Sequence, residues 1–490
     1  MSFKAPLLVI LACGAVDALV CPMLGCAVSG SNIASSDTAR QQQHPERRAD
    51  WSAAQLLWTM TAAEGQVERL LCTSAHVDAT ALLVCGVDRG DPFATGTAGL
   101  VGVYANGTVA WKSDLLAQTT STPMRSLNSP AGTVAVNSVS LGGVDAEGVS
   151  YGPTRPITLS GGSFALTATD NAILFALPRN ESILSAFLFN DIPHASIPLM
   201  ALGSDEPLVA IATPVVEGNR GYFLTRGTRT PTAQRSCHVI AIDGHRTLND
   251  RLNISWSFSY TCPASYGTVV GSSEADEAPI VVQNGTVYFE ARDAAGSAQL
   301  FALRDEGTSG KLVWSAPLSG LAGVAATAAP RLNSLALHPG EEASLWLTFR
   351  GTHGAAAAVA AATARTAVKV GTVQGKVECF YAPPDGTTAM SIAGARLAVV
   401  PGMFGSSLAG TTDLALLVHS SGSGSGSNDV ALLGLRHHKS AKEESIAVAF
   451  IVDRVVAAPH GGLGVQLVPL DDALIVTHGG NVTAVGVAAA

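Results

Sequence analysis

Charged side chains are scarce in this chain, at only 14% of its 490 residues. The Lys and Glu that amphipathic helices need for their wet face are thinly spread, while Val, Thr, Ala and Ser run throughout, a balance that favours short strands. The same figures exclude disorder as the default, because 47% of the residues are apolar and a large core is available. Basic residues number 29 against 38 acidic ones, for a net charge of −9. No Lys/Arg cluster comes with interleaved aromatics, so the footprint of a nucleic-acid binder is missing. The densest basic spots, Arg47-Arg48 and the stretch around Arg436 and Lys439, read as solvated loops, with a processing site as the alternative at Arg47-Arg48.

Motifs that carry chemistry are missing as well. There is no Asp-x-Asp-x-Asp-Gly calcium loop, no His-Glu-x-x-His or Cys-x-x-Cys metal spacing and no Gly-rich phosphate loop. The nearest approach to a nucleophile elbow, Gly271-Ser272-Ser273-Glu274-Ala275, leads into an acidic turn where an elbow leads into a helix. His437-His438 reads as an exposed turn, and on a strand the two would point to opposite faces and could not share a metal. Asp243-Gly244-His245 and His478 read as ordinary hairpin turns. The acidic run Glu274–Glu277 reads as a solvated loop, with a cation or a basic partner as the alternative. No catalytic residue, cofactor-binding residue or metal ligand is therefore assigned, and an enzyme is the less favoured class.

Long apolar runs are absent too, since no segment holds 18 uninterrupted apolar residues, and no transmembrane segment is expected in the mature chain. The N-terminus does carry a short one: Lys4 precedes the run Ala5–Val16, followed by small residues to Ala18. A positive start, a brief apolar stretch and a small-residue cleavage site predict a secretory signal peptide over 1–18. A polar, aperiodic stretch follows, read as a flexible lead-in over 19–50, and a single β-domain is expected over 51–490. Five Asn-x-Ser/Thr sequons, at Asn106, Asn180, Asn253, Asn284 and Asn481, lie beside predicted turns and are candidate N-glycosylation sites, making a secreted glycoprotein the expected form.

Of eight cysteines, Cys13 leaves with the signal. The economical pairings are Cys72 with Cys85 and Cys237 with Cys262, each flanking two adjacent predicted strands, with Cys21–Cys26 a further option. Cys379 is then left over, buried as a thiol or paired elsewhere.

From about Trp51 the chain becomes a succession of apolar runs of five to seven residues broken by Gly, Asn, Asp, Pro and Ser turns. Ser420–Ser427 reads as an enlarged hairpin tip. The clearest repeat covers 279–317: an apolar strand, an Asn-Gly turn, then "TVYFEA", "QLFALR" and "KLVWSA". Weaker copies place a small residue between apolar ones in a penultimate strand (Gly102, Ala176, Ala241, Ala302, Gly434, Gly486), with a large residue further on. The physical reading is a contact between neighbouring sheets, the small residue admitting the next sheet and the aromatic covering the seam.

This pattern resembles the quinoprotein-like propeller repeat, whose units read roughly "lyAlD…tGk..W", over about 65–490. The resemblance implies an all-β propeller of four-stranded antiparallel blades. Marker strands at Trp58, Trp111, Phe187, Trp256, Trp314, near Val368 and at Phe450 predict seven blades, with six or eight, or tandem β-domains, as alternatives. The last strand has no aromatic strand after it and Trp58 has none before it, so Ala54–Met60 is expected to complete the final blade, placing Trp58 in one sheet with Val485.

For function the resemblance brings a quinone-dependent dehydrogenase to the fore, but in that family the cofactor stacks on a disulfide between adjacent cysteines, and this chain has no Cys-Cys pair. The expectation is a secreted binding or interaction scaffold for an extracellular protein or glycan, with no cofactor and no nucleic acid. The alternatives are that quinone enzyme, or an extracellular hydrolase or lyase whose carboxylates come from several blades.

Overall fold

The protein is described by a computed structural model covering the strands between residues 53 and 487 and the connecting residues within 100–113, 195–203, 205–212, 262–263, 278–325 and 367–382. The signal peptide, the lead-in, Cys21, Cys26, Asn180, the acidic run Glu274–Glu277, the Gly271–Ala275 stretch, His245 and the Ser420–Ser427 loop lie outside the described residues.

Strands account for nearly all regular structure. The first meander is β2 (Arg69–Val77), β3 (Thr80–Asp88), β4 (Leu100–Tyr104) and β5 (Val109–Ser113). The second is β6 (Arg125–Ser129), β7 (Gly132–Val136), β8 (Ser140–Val144) and β9 (Ser150–Pro156); the third is β10 (Phe164–Ala168), β11 (Ile173–Pro178), β12 (Ile183–Leu188) and β13 (Ala195–Pro198). In the fourth, β14 (Leu208–Ala210) and β15 (Val215–Glu217) share one edge of β16 (Arg220–Gly227), followed by β17 (Ser236–Asp243) and β18 (Asn253–Thr261). The fifth is β19 (Ile280–Gln283), β20 (Thr286–Arg292), β21 (Ala298–Asp305) and β22 (Gly310–Pro317), after which comes a one-turn helix, α1 (Leu318–Ala322). The sixth is β23 (Arg331–His338), β24 (Ser344–Arg350), β25 (Ala367–Gly371) and β26 (Val377–Tyr381). The seventh is β27 (Ser391–Val399), β28 (Thr411–His419), β29 (Val430–Lys439) and β30 (Glu444–Val456). The eighth joins β31 (Gln466–Leu470), β32 (Ala473–His478) and β33 (Asn481–Gly486) to β1 (Gln55–Thr61) from the other end of the chain.

Local chemistry explains the clearest unit. Asn284 and Gly285 both take left-handed backbone angles, φ 50° and 67°, which is the tight hairpin geometry whose twist matches the flanking strands. On β20 the sequence TVYFEAR buries all but its last residue, as a strand covered on both faces must. Apolar clusters lie between consecutive meanders: one joins the fourth to the fifth, another the fifth to the sixth, and others the sixth to the seventh and the seventh to the eighth. The first strands follow one another, β2 against β6, β6 against β10, β10 against β15, then β19, β23, β27 and β31, and β31 returns to β2.

Among the described residues the strands group into eight meanders, one more than the seven marker strands and equal to one of the alternative counts. Phe187 sits on β12, a third strand, opposite Leu174, and Ala176 is on the second strand of that unit. Val368 is on the third strand β25, and the outer strand there is β26. The second meander's outer strand carries Tyr151 and the third's has no aromatic, so a tally of large residues merges the two. His437 and His438 are strand residues of β29, not a turn, with His437 buried and His438 exposed.

Where the marker is present, the geometry repeats. Gly102 faces Trp111, Ala241 faces Trp256, Ala302 faces Trp314, Gly434 faces Phe450 and Ala484 faces Trp58, and beside each pair the ladder slips by one residue. The small partner in the eighth unit is thus Ala484, in place of Gly486. Trp58 and Val485 do share a sheet, with Leu56 opposite Val485. A bulge there re-aims the outer strand's aromatic toward the small residue; a Cβ on Gly102 would collide with the Trp111 indole, and one on Gly434 with the Phe450 ring.

Three of these indoles then reach the next meander. Trp58 Nε1 donates to the Ala105 carbonyl at 2.8 Å, and Trp314 Nε1 to the Thr372 carbonyl at 2.7 Å. Trp256 Nε1 donates to Asp305 Oδ1 at 2.9 Å. The rings cover glycines of the same turns, where an added Cβ would lie 2.7 Å from Trp58 at Gly107, 2.7 Å from Trp256 at Gly310 and 2.6 Å from Trp314 at Gly375. Gly107 and Gly375 also need positive φ, 85° and 66°.

Trp58→Ala is expected to lower unfolding free energy by roughly 2 kcal/mol, below a full core truncation because the indole is half-buried. Urea titration checks this against Val373→Ala, an 80% exposed turn residue expected to leave the midpoint unchanged. Equal midpoints for the two variants would mean that the indole contact holds nothing together.

Candidate functional site

The densest described polar constellation lies at the seam between the fourth and fifth meanders. It forms because the strand ends β16, β17 and β18 meet the β21–β22 turn. Arg220, first on β16, is directly opposite Asp243, last on β17, and Tyr222 is two residues along on the same face as Arg220. Arg220 Nε donates to Asp243 Oδ1 at 2.7 Å, and Nη1 donates to both oxygens of Asp305 at 2.8 and 2.7 Å. Nη1 also donates to the Gly307 carbonyl at 3.0 Å. Ser255 donates to Asp243 Oδ2 at 2.6 Å, completing the row.

Asp305 is the hub. Oδ1 accepts from Arg220, from Trp256 Nε1 and from the Gly307 N–H at 2.7 Å, and Oδ2 accepts from Arg220 and from the Tyr222 hydroxyl at 2.9 Å. Burial by itself raises this carboxyl, but the bonds from Arg220, then Gly307, Trp256 and Tyr222, outweigh it and hold Asp305 below the ordinary carboxylate value. Burial, with the bond to Asp305, pushes the Tyr222 phenol far above its usual range. Five hydrogen bonds from four donor groups on two oxygens leave no room for a substrate proton, so the group cannot serve as a general base. The arrangement is a clasp.

A second clasp adjoins it. Glu217, last on β15, accepts from the backbone N–H groups of Asn284 and Gly285 at 2.6 Å each. Successive N–H groups of a left-handed turn make a small anion nest, and here a carboxylate from the neighbouring meander fills it.

The residues singled out from the sequence are scattered. Asn106 is exposed in the β4–β5 turn, its Oδ1 accepting from the Thr108 N–H at 3.0 Å and from the Thr108 hydroxyl at 2.7 Å. Asn253 and Asn284 are exposed at turns on the same edge of their sheets, and Asn481 is exposed at the opposite edge, after the β32–β33 turn. Cys237 and Cys262 are joined by a disulfide with Cα atoms 5.0 Å apart. Cys72 and Cys85 are direct cross-strand partners on β2 and β3, with side chains outside the described residues. Cys379 is buried on β26. Asp243 belongs to the clasp, and His478 ends β32 opposite Asn481. Among the described residues no three His, Cys, Asp or Glu side chains are placed to hold a metal. The quinone of the resembling family finds no fit, since the adjacent-cysteine platform is missing from the sequence.

Meander order, the succession of first strands and the repeated seam contacts define an all-β protein of the β-propeller type. No protein-family model matches the sequence, and no curated protein does. Solved structures of similar shape include the WD40 domain of Pan2 from Neurospora crassa, at 9% identity over 91% of this chain and 98% of that one, TM-score 0.41. The WD40 domain of SCAP from fission yeast is 9% identical over 88% and 98%, TM-score 0.42. A quinohemoprotein alcohol dehydrogenase from Pseudomonas putida is 12% identical over 92% and 72%, TM-score 0.36. The fold assignment rests on strand order and not on these likenesses.

Asp305→Asn is expected to cost about 3 kcal/mol at pH 7, as removing one partner of a buried ion pair does. Because the folded-state pKa lies below the unfolded value, the ionised carboxylate stabilises fully above about pH 4 and that contribution fades as pH falls through the folded value. Melting curves of parent and variant should converge in acid; a pH-independent gap would remove the clasp's electrostatic basis.

Proposed function

We propose that the chain is a secreted, N-glycosylated β-propeller in which eight meanders close into a ring and act as a rigid scaffold, its exposed turns binding an extracellular protein or glycan. The observation that carries this reading is the use of the seam polar groups: the most charged of them, Arg220, Asp305 and Asp243, are spent on each other and on neighbouring turns. That leaves recognition to the turns.

Closure is supported by β1 in one sheet with β33 and by Trp58 reaching across to the β4–β5 turn of the first meander. Export is supported by the Cys237–Cys262 disulfide, since such bonds persist in oxidising compartments, and by exposed asparagines at Asn106, Asn253, Asn284 and Asn481.

Expression of the full chain in a secretory eukaryotic host is expected to deliver it to the medium with glycans that an endoglycosidase removes, each Asn→Gln variant losing one. The purified protein should retain glycans on an array or cross-link to a cell-surface protein. Adding pyrroloquinoline quinone with calcium should change neither absorbance nor Tm. Retention inside the cell without glycans, or a cofactor-induced shift, would overturn the reading.

A further inference from the structure

A separate hydrogen-bonded row occupies the other end of the fourth meander, facing the third. His238 on β17 is directly opposite Ser259 on β18 and Thr225 on β16, and Ser236 is two residues before it on the same face. His238 Nδ1 is 3.0 Å from Ser259 Oγ, and His238 Nε2 is 3.0 Å from Ser236 Oγ. Ser236 Oγ in turn donates to Glu206 Oε2 at 3.3 Å. Glu206 comes from the connection between β13 and β14, which is laid on this sheet by the Leu202 N–H donating to Ser257 Oγ at 3.1 Å. Its carboxylate rests on Gly227, where any Cβ would collide with it.

The direction of each bond follows from the far end. An ionised carboxylate only accepts, so Ser236 must donate to Glu206. The Ser236 oxygen is then open to the His238 Nε2–H, which fixes the tautomer and leaves Nδ1 with its lone pair toward Ser259. His238 is buried, and burial lowers its pKa, with Glu206 partly offsetting the effect, so the ring is neutral at pH 7. The Thr225 hydroxyl donates to the His238 backbone carbonyl at 3.1 Å and leaves the ring free to act. Arg226 pairs with Cys237 in the ladder and so lies on the other face of the sheet. Ser259, by contrast, is exposed.

We propose that Ser259 is a base-activated nucleophile, with His238 taking its proton and Ser236 and Glu206 positioning the imidazole, and that it attacks activated acyl esters and their phosphonyl analogues. With a fluorophosphonate, the Ser259 Oγ–P bond forms, the P–F bond breaks, fluoride leaves, and the hydroxyl proton passes to His238 Nδ1. The acyl case differs only in that the alkoxide or phenoxide leaving group departs and recovers that proton. This is nucleophile and base within hydrogen-bond reach, with the base oriented by a third group.

The test is labelling of the whole protein with a fluorophosphonate probe, with the modified residue located by peptide mass spectrometry. Ser259 is expected to label, and Ser259→Ala to abolish the signal. His238→Gln, which keeps a polar side chain of similar length but no titratable base, should slow labelling by about a hundredfold or more. The rate should hold through neutral pH and fall only as the medium acidifies below the ordinary histidine range. Glu206→Gln removes the charge that partly restores the imidazole's basicity, so the midpoint of that fall should move to lower pH at unchanged Tm, which a merely structural role would not produce. Labelling at Ser259 no faster than at other surface serines, or equal rates in parent and His238→Gln with both folded, overturns the proposal.

Discussion

A four-stranded sheet cannot bury both of its faces alone. In this protein almost every feature answers that constraint. The apolar clusters lie between meanders and not within them, so the core is a series of seams, and each seam needs a device that fixes how far one sheet approaches the next. The repeated solution is an indole set opposite a small residue of its own sheet and hydrogen-bonded to a turn of the next. The bulge beside it aims the ring, and a glycine beside that turn makes room for it.

The seam between the fourth and fifth meanders carries more than its neighbours among the described residues. Asp305 takes the indole, a phenol and a guanidinium at once, Glu217 fills the nest of the adjoining hairpin, and a single ladder pair, Thr261 with Arg292, joins the two meanders into one nine-stranded sheet. The Cys237–Cys262 bond closes the start of β17 onto the end of β18 beside that ladder pair. Charge, hydrogen bonding and covalent linkage all fall on the same pair of units.

Much of this was legible in the sequence, and the failures have physical causes. The Asn284-Gly285 turn, the four strands of 279–317 and the pairing of the two chain ends could be read because each depends on local periodicity or on a single aromatic. Asp305 was passed over because a carboxylate between a strand and a glycine turn looks like any solvated hairpin residue; the small residue, Asp, Gly, Trp order of 302–314 was the available signal. The second meander carries no small-and-large marker pair that the repeat reading picked out, although Tyr151 lies on its outer strand, and the third is marked on the wrong strand, at Phe187, because its outer strand, Ala195–Pro198, carries no aromatic at all. The Ser259–His238–Ser236–Glu206 row was invisible for another reason. Its members come from two strands and a loop, and only the β17–β18 register sets Ser259 opposite His238.

The pairing of β1 with β33 also sets a clock. Thr59 and Thr483, whose hydroxyls meet across that ladder at 3.4 Å, are 424 residues apart in the chain. At synthesis rates of about 5–20 residues per second, β1 emerges roughly 20–80 s before its partner exists. During that interval every other meander can assemble from strands already made, while the eighth cannot. The nascent chain therefore carries β1 without its ladder partner throughout that interval, and of the described strands the one made first is among the last to find its place.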